Sequence, residues 1–183
     1  MKKVFMLALV AFMTLAVSPK AHAIEDPNPK GTLVAGARFG IIPGFGANVV
    51  GDYTLVDSWW KGHFTVGGYF GFNNRYYHYK ELGYNSYRSN FNNFALMPRV
   101  TYGLNITKDF EVHAGVMLGA NYQINRCVYD NGYTPDARHT HWYFSHGEVV
   151  GARYFFTDTF GVEAEFIYTG FQNYINVGVT FKL

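Results

Sequence analysis

The feature that most constrains this chain is a strict alternation of apolar with polar or small side chains. It is plainest at the chain end, where the last nine residues read INVGVTFKL. Ile175, Val177, Val179, Phe181 and Leu183 share one parity, and Asn176, Gly178, Thr180 and Lys182 share the other. A period of two puts each set on one face of a strand. The chain therefore stops inside a sheet with one wholly apolar face, and something must cover that face.

The same pattern recurs upstream, giving eight segments in all. Thr32 to Ile42 sets Leu33, Ala35, Ala37, Phe39 and Ile41 on one face, with Arg38 on the other. Ala47 to Val56 sets Val49, Tyr53 and Leu55 outward, and Gly62 to Asn73 sets Phe64, Val66, Phe70 and Phe72 outward. Phe91 to Leu104 alternates Phe94, Leu96, Val100 and Tyr102 with Asn93, Met97, Arg99 and Thr101. Phe110 to Tyr122, Trp142 to Phe155 and Phe160 to Thr169 continue the series, the Trp142 segment least cleanly. Pro98 falls on the outward parity of its strand, where it forfeits a ladder bond and invites a bulge.

The connections alternate in kind. Asp57-Ser58, residues 105–109 and residues 157–159 are short and polar, whereas Asn74 to Asn90 and Gln123 to Thr140 are long. Glycine-bearing turns follow the first and seventh strands. Short turns at one end and long loops at the other mark an outer-membrane barrel, whose strands need about 9–11 residues to cross at a tilt. In this reading the apolar parity faces lipid, and the last strand closes against the first, leaving no edge in a medium without water.

The N-terminus and the bulk composition fit export. Lys2 and Lys3 precede an apolar stretch from Val4 to Val17, and Ala21-His22-Ala23 has the small-x-small form of a cleavage site. Residues 1–23 read as a secretory signal peptide, residues 24–30 as a short periplasmic lead-in and residues 31–183 as the barrel domain. Removing Lys2, Lys3 and Lys20 from 15 basic residues, against 13 acidic ones, leaves the mature chain with one net negative charge. No basic patch for nucleic acid remains. The single cysteine, Cys127, cannot form an internal disulfide, so stability must come from elsewhere.

Taken together, strand number, turn asymmetry and terminal strand resemble the small eight-stranded outer-membrane barrels of Gram-negative bacteria, the OmpA/OmpX type. The resemblance runs from Gly31 to Leu183. It implies an all-β, antiparallel up-and-down transmembrane barrel, a monomer without cofactor, set among outer-membrane lipids including lipopolysaccharide. In that family the assembly machinery reads a terminal aromatic. Here Leu183 is last and Phe181 is the nearest aromatic.

Three sets of residues could carry function. The inward parity collects Arg38, Arg99, Arg153 and Lys182 with Glu111, Glu163 and Glu165, joined by His63 and His113. An eight-stranded barrel has room inside only for side chains, so these charges must pair with one another. The set reads as an ion-pair core, with a narrow pore as the alternative. The long loop from Asn74 carries Tyr76, Tyr77, Tyr79, Tyr84 and Tyr87, amphipathic rings suited to a host or glycan ligand. In the sixth strand, inward Arg153 places Glu148 and His146 outward, toward lipid. With Ser145 they invite comparison with lipid A deacylases, but Ser145 has the opposite parity and no His-x-Ser spacing surrounds it. Cys127, Asp130, Asp136, His139 and His141 show no metal-ligand spacing. The chain reads as a non-enzymatic envelope protein with surface loops for adhesion or recognition, the alternative being a lipid A-modifying enzyme.

Overall fold

The computed structural model describes residues 28–59, 62–79, 87–129, 135–172 and 174–183, without the side chains of Ser58 and Tyr79. Residues 1–27, including the signal segment and most of the lead-in, lie outside this description, as do Tyr84 and Asp130.

Eight antiparallel strands close into one ring in sequence order. They are β1 (Leu33–Ile41), β2 (Phe45–Trp59), β3 (Gly62–Tyr79), β4 (Tyr87–Asn105), β5 (Phe110–Tyr129), β6 (Ala137–Phe155), β7 (Phe160–Tyr168) and β8 (Ile175–Lys182). β8 pairs with β1 from Ile41↔Ile175 to Val34↔Lys182. The last residue is itself in the ladder, since Leu183 N donates to Leu33 O at 2.8 Å. Over the height that all eight strands share, closure gives each strand a hydrogen-bonded neighbour on both sides, which a chain embedded in hydrocarbon requires.

At the base, the end that holds Leu33 and Leu183, two connections are built alike. Thr107 Oγ1 accepts from the amides of Asp109 and Phe110, and Thr157 Oγ1 accepts from those of Thr159 and Phe160. A threonine hydroxyl that satisfies the turn amides makes a tight reversal without glycine.

The wall is uneven in height. β1, β7 and β8 run 8–9 residues, whereas β3 to β6 run 18–20. This corrects the expectation of uniform crossing strands joined by long loops. Asn74–Asn90 and Gln123–Thr140 are largely strand, because β3 pairs with β4 out to Tyr79↔Tyr87 and β5 with β6 out to Cys127↔Ala137. β2 also continues through the expected turn at Asp57-Ser58 to Trp59, helped by register shifts after Thr54 and Val56. No bulge forms at Pro98. The β4–β5 ladder skips Met97 and Pro98 and resumes at Arg99↔Met117 in the same register.

The outer face carries the apolar parity. Phe39, Val49, Phe70, Leu96, Val116, Leu118 and Val177 are all about half exposed or more. Aromatic rings gather into two groups along its height. Near the base, Trp59 packs on Phe64 at 4.5 Å, Phe64 on Tyr102 at 5.0 Å and Phe160 on Phe181 at 5.4 Å. Toward the other end, Phe72 packs on Phe94 at 5.1 Å and Tyr122 on Trp142 at 4.7 Å. A wide apolar band between two aromatic groups is the pattern of a wall that meets two membrane–water boundaries.

Candidate functional site

The lumen is filled in three layers. The lowest is ionic. Arg153 reaches Glu163 at 3.0 Å, Glu111 at 3.3 Å and Asp52 at 2.5 Å. Arg99 forks onto Glu165 at 2.8 and 3.2 Å and holds Asp52 at 2.9 Å. Arg38 meets Glu165 and Glu163, and donates from Nε to Asn48 Oδ1 at 2.7 Å. His113 lies 2.9 Å from Glu165 and 3.4 Å from Glu111, and His63 lies 3.7 Å from Glu111. All these side chains are buried. Charges taken this far from water must be neutralised locally, and a guanidinium fork against a carboxylate does so with fixed geometry.

Alternation explains how seven strands assemble this layer. Each contributes its inward parity at one height: Arg38 from β1, Asp52 from β2, His63 from β3, Arg99 from β4, Glu111 and His113 from β5, Arg153 from β6, Glu163 and Glu165 from β7. Gly36 makes room for it, because a Cβ there would overlap the Glu163 carboxylate. Asp52, which bridges Arg99 and Arg153, was missed in the sequence, although it shares the inward parity of Asn48 and Thr54 on β2. Lys182 is placed differently from the expectation. Its ammonium sits over the Phe155 ring, 3.8 Å from the centroid, because β8 brings it to the base, beyond the layer of arginines.

Above the ions lies an apolar layer of Val50, Tyr69, Ala95, Met97, Met117, Val149 and Ile167. Above that, residues 169–172 fold inward. Thr169 Oγ1 accepts from the amides of Phe171 and Gln172. The Gln172 carboxamide accepts from Tyr69 at 3.3 Å and donates to Asn121 at 3.2 Å. From across the ring, Arg75 donates to the carbonyls of Gly170 and Gln172 at 3.3 and 3.1 Å. At the base, the lead-in enters the ring and Asn28 donates to Glu111 at 2.6 Å. Liposomes carrying the folded protein are therefore expected to release small sugars no faster than empty ones. A flux that rises with protein content would contradict the filled lumen.

The long strands carry the remaining candidates past the short ones. On β3 to β6, the odd-numbered residues face the lumen side. Tyr77 and Tyr87 lie on this side; Tyr77 meets Phe91 edge-on at 5.7 Å and Tyr87 meets Tyr129 at 5.8 Å. Tyr79 is in register with Tyr87. Tyr76 faces outward and is 57% exposed. The tyrosines whose side chains are described, Tyr76, Tyr77 and Tyr87, are thus split between two faces.

The β5–β6 ladder is unbroken from Phe110↔Tyr154 to Cys127↔Ala137, so no bulge re-aims the sixth strand. His146 and Glu148 do point outward, 4.0 Å apart, and Glu148 stands beside Tyr168 at the end of β7. Ser145 points inward and accepts a hydrogen bond from Asn121. The wall separates the hydroxyl from the imidazole, so these three residues cannot assemble into one nucleophile and base. Among the described residues, no group of His, Cys, Asp or Glu is arranged to hold a metal.

A closed ring with an apolar outside and an ionic inside is the inverse of a water-soluble barrel and defines the fold of an eight-stranded transmembrane barrel. The N-terminal β-barrel domain of Pseudomonas aeruginosa OprF agrees on the fold: it superposes with a TM-score of 0.53 at 14% identity, covering 84% of this chain and 98% of that domain. Ail, the attachment invasion locus protein of Yersinia pestis, solved in complex with the heparin analogue sucrose octasulfate, gives 0.45 at 11% identity, over 82% of this chain and 92% of that one. Neisserial surface protein A gives 0.35 at 15% identity, over 82% and 91%. No protein-family model and no curated protein matches the chain by sequence.

Proposed function

We propose that the protein sits in the outer membrane of a Gram-negative bacterium, exported by residues 1–23, and serves as a non-enzymatic surface protein. In this reading the base faces the periplasm, and the tops of β3 to β6 stand outside the cell as a recognition or adhesion surface. The observation that carries this is the contrast between a filled lumen and a wall that rises on one side only. A barrel that needed only to cross the membrane would have no use for four strands of twice the length of β1, β7 and β8. The outward His146–Glu148 pair keeps a lipid A-modifying enzyme as the rival reading, weakened by the inward Ser145.

The test is a shortened protein in which residues 77–89 and 125–139 are each replaced by an Asn-Gly turn, which keeps the register of the remaining ladder. It is expected to insert, to preserve the detergent resistance of the envelope, and to lose the adhesion to epithelial monolayers that the full chain confers. Equal adhesion by both forms would contradict the reading.

A further inference from the structure

We infer that the lumen-side face of the raised β3–β6 sheet binds an acidic saccharide, a pyranose chain bearing carboxylates; this rests on the recognition reading above. Three observations converge on that face.

The first is a ladder of rings. His139 and His141 stack with centroids 6.5 Å apart, His141 meets Tyr143 at 6.0 Å, and Tyr143 stacks on Phe171 at 4.9 Å. The ladder climbs one edge of the sheet from the inward-folded 169–172 segment. β7 ends at Tyr168 and pairs with β6 only as far as Glu148, so the short side of the wall does not roof it. Both imidazoles are exposed, and Tyr143 is 37% exposed. The faces of such rings carry partial negative charge and attract the C–H face of a pyranose.

The second is the company the rings keep. Gln123 is in register with His141, and Asn125 with His139. Their amides offer donors and acceptors of the geometry that sugar hydroxyls need. A few convergent polar groups beside aromatic walls is the general composition of a small-molecule site.

The third is charge. Arg75 at the floor lies on this face, and no carboxylate does among the described residues. On the opposite face of the same strands stand Arg88, Arg126 and Arg138. Arg126 has a carboxylate at hand, Asp136 at 3.3 Å, while Arg126 and Arg138 are directly cross-strand. Like charges placed opposite each other weaken a sheet. The raised sheet therefore carries a positive field that draws an anion, and the rings choose one with an apolar sugar face.

The experiment uses the full-length protein in detergent micelles, with 3′-sialyllactose and a hyaluronan tetrasaccharide as carboxylated probes and lactose as the neutral one. Titration calorimetry gives affinity, and saturation-transfer NMR shows which sugar protons touch the protein. A core oligosaccharide bearing 3-deoxy-octulosonic acid adds the bacterium's own carboxylated sugar, so the arms separate a host source from an envelope source. At least one carboxylated probe is expected to bind about tenfold or more tighter than lactose. Tyr143→Ala and His141→Ala should weaken it by about tenfold or more. Tyr143→Phe, which keeps the ring, should retain binding. Thr140→Ala and Trp142→Ala, on the same strand but the other face, should leave it unchanged. Binding of lactose equal to the acids, equal loss from the outer-face substitutions, or no binding of any acid at millimolar concentration would overturn the inference. If adhesion needs the raised sheet yet no acid binds, the saccharide assignment alone falls. If shortening the sheet leaves adhesion intact, the recognition reading falls with it.

Discussion

Arg153→Ala is expected to lower the unfolding free energy by about 3–5 kcal/mol, the cost of removing one partner from a buried ionic cluster. The effect should exceed that of an ordinary cavity, because Arg153 stands against three carboxylates at once: Asp52, Glu111 and Glu163. Without it, Asp52 keeps Arg99, and Glu163 keeps Arg38. Among the described residues, Glu111 retains Asn28 and the two imidazoles. Urea unfolding in micelles, followed by tryptophan fluorescence, measures the change. A double substitution, Arg153→Met with Glu111→Gln, should recover part of the loss, since it removes the cation together with the carboxylate that no other described guanidinium meets. Wild-type unfolding of Arg153→Ala would mean that the charges do not form one buried network.

Val100→Arg is the second large effect, and it probes the other side of the wall. Val100 lies in register with Val66 on β3 and Val116 on β5, between the two aromatic groups, and is 44% exposed. Arginine at the midplane of a barrel's lipid face costs about 2–4 kcal/mol. In a barrel bathed by water, the same exposed substitution would fall within about 0.5 kcal/mol of neutral. Refolding into lipid vesicles against urea distinguishes the two. An unchanged midpoint would place the apolar face somewhere other than in hydrocarbon.

Alternation made the fold readable. Along β8, for example, the apolar parity of Ile175, Val177, Val179 and Phe181 is the exposed one, and Asn176 and Thr180 are buried. The lumen cluster was partly readable for the same reason: parity alone aims Arg38, Arg99, Arg153, Glu163 and Glu165 inward. Asp52 was readable by the same rule, since Val49 and Tyr53 fix its face. What alternation could not supply was length. Asn74 to Asn90 is rich in Asn, Tyr and Arg on both parities, so neither parity is apolar. Its strands therefore lack the amphipathic signature, and they are found only in the pairing of β3 with β4. Height was hidden as well. Lys182 has the inward parity, but register sets it at the base beside Phe155. The inward fold of residues 169–172 rests on contacts between distant parts of the chain, Arg75 to Gly170 and Asn121 to Gln172, which no local pattern announces.

The orientation of the wall can be read directly from the strand on which the chain ends. Nitroxide labels placed one at a time at positions 175 to 182, in a Cys127→Ser background reconstituted in lipid vesicles, report contact with oxygen dissolved in the acyl chains. Collision rates are predicted to be high at 175, 177, 179 and 181 and low at 176, 178 and 180, a period of two in phase with the apolar side chains. The opposite phase would put the apolar face inside, as in a water-soluble barrel, and the absence of any alternation would mean that β8 does not line a membrane at all.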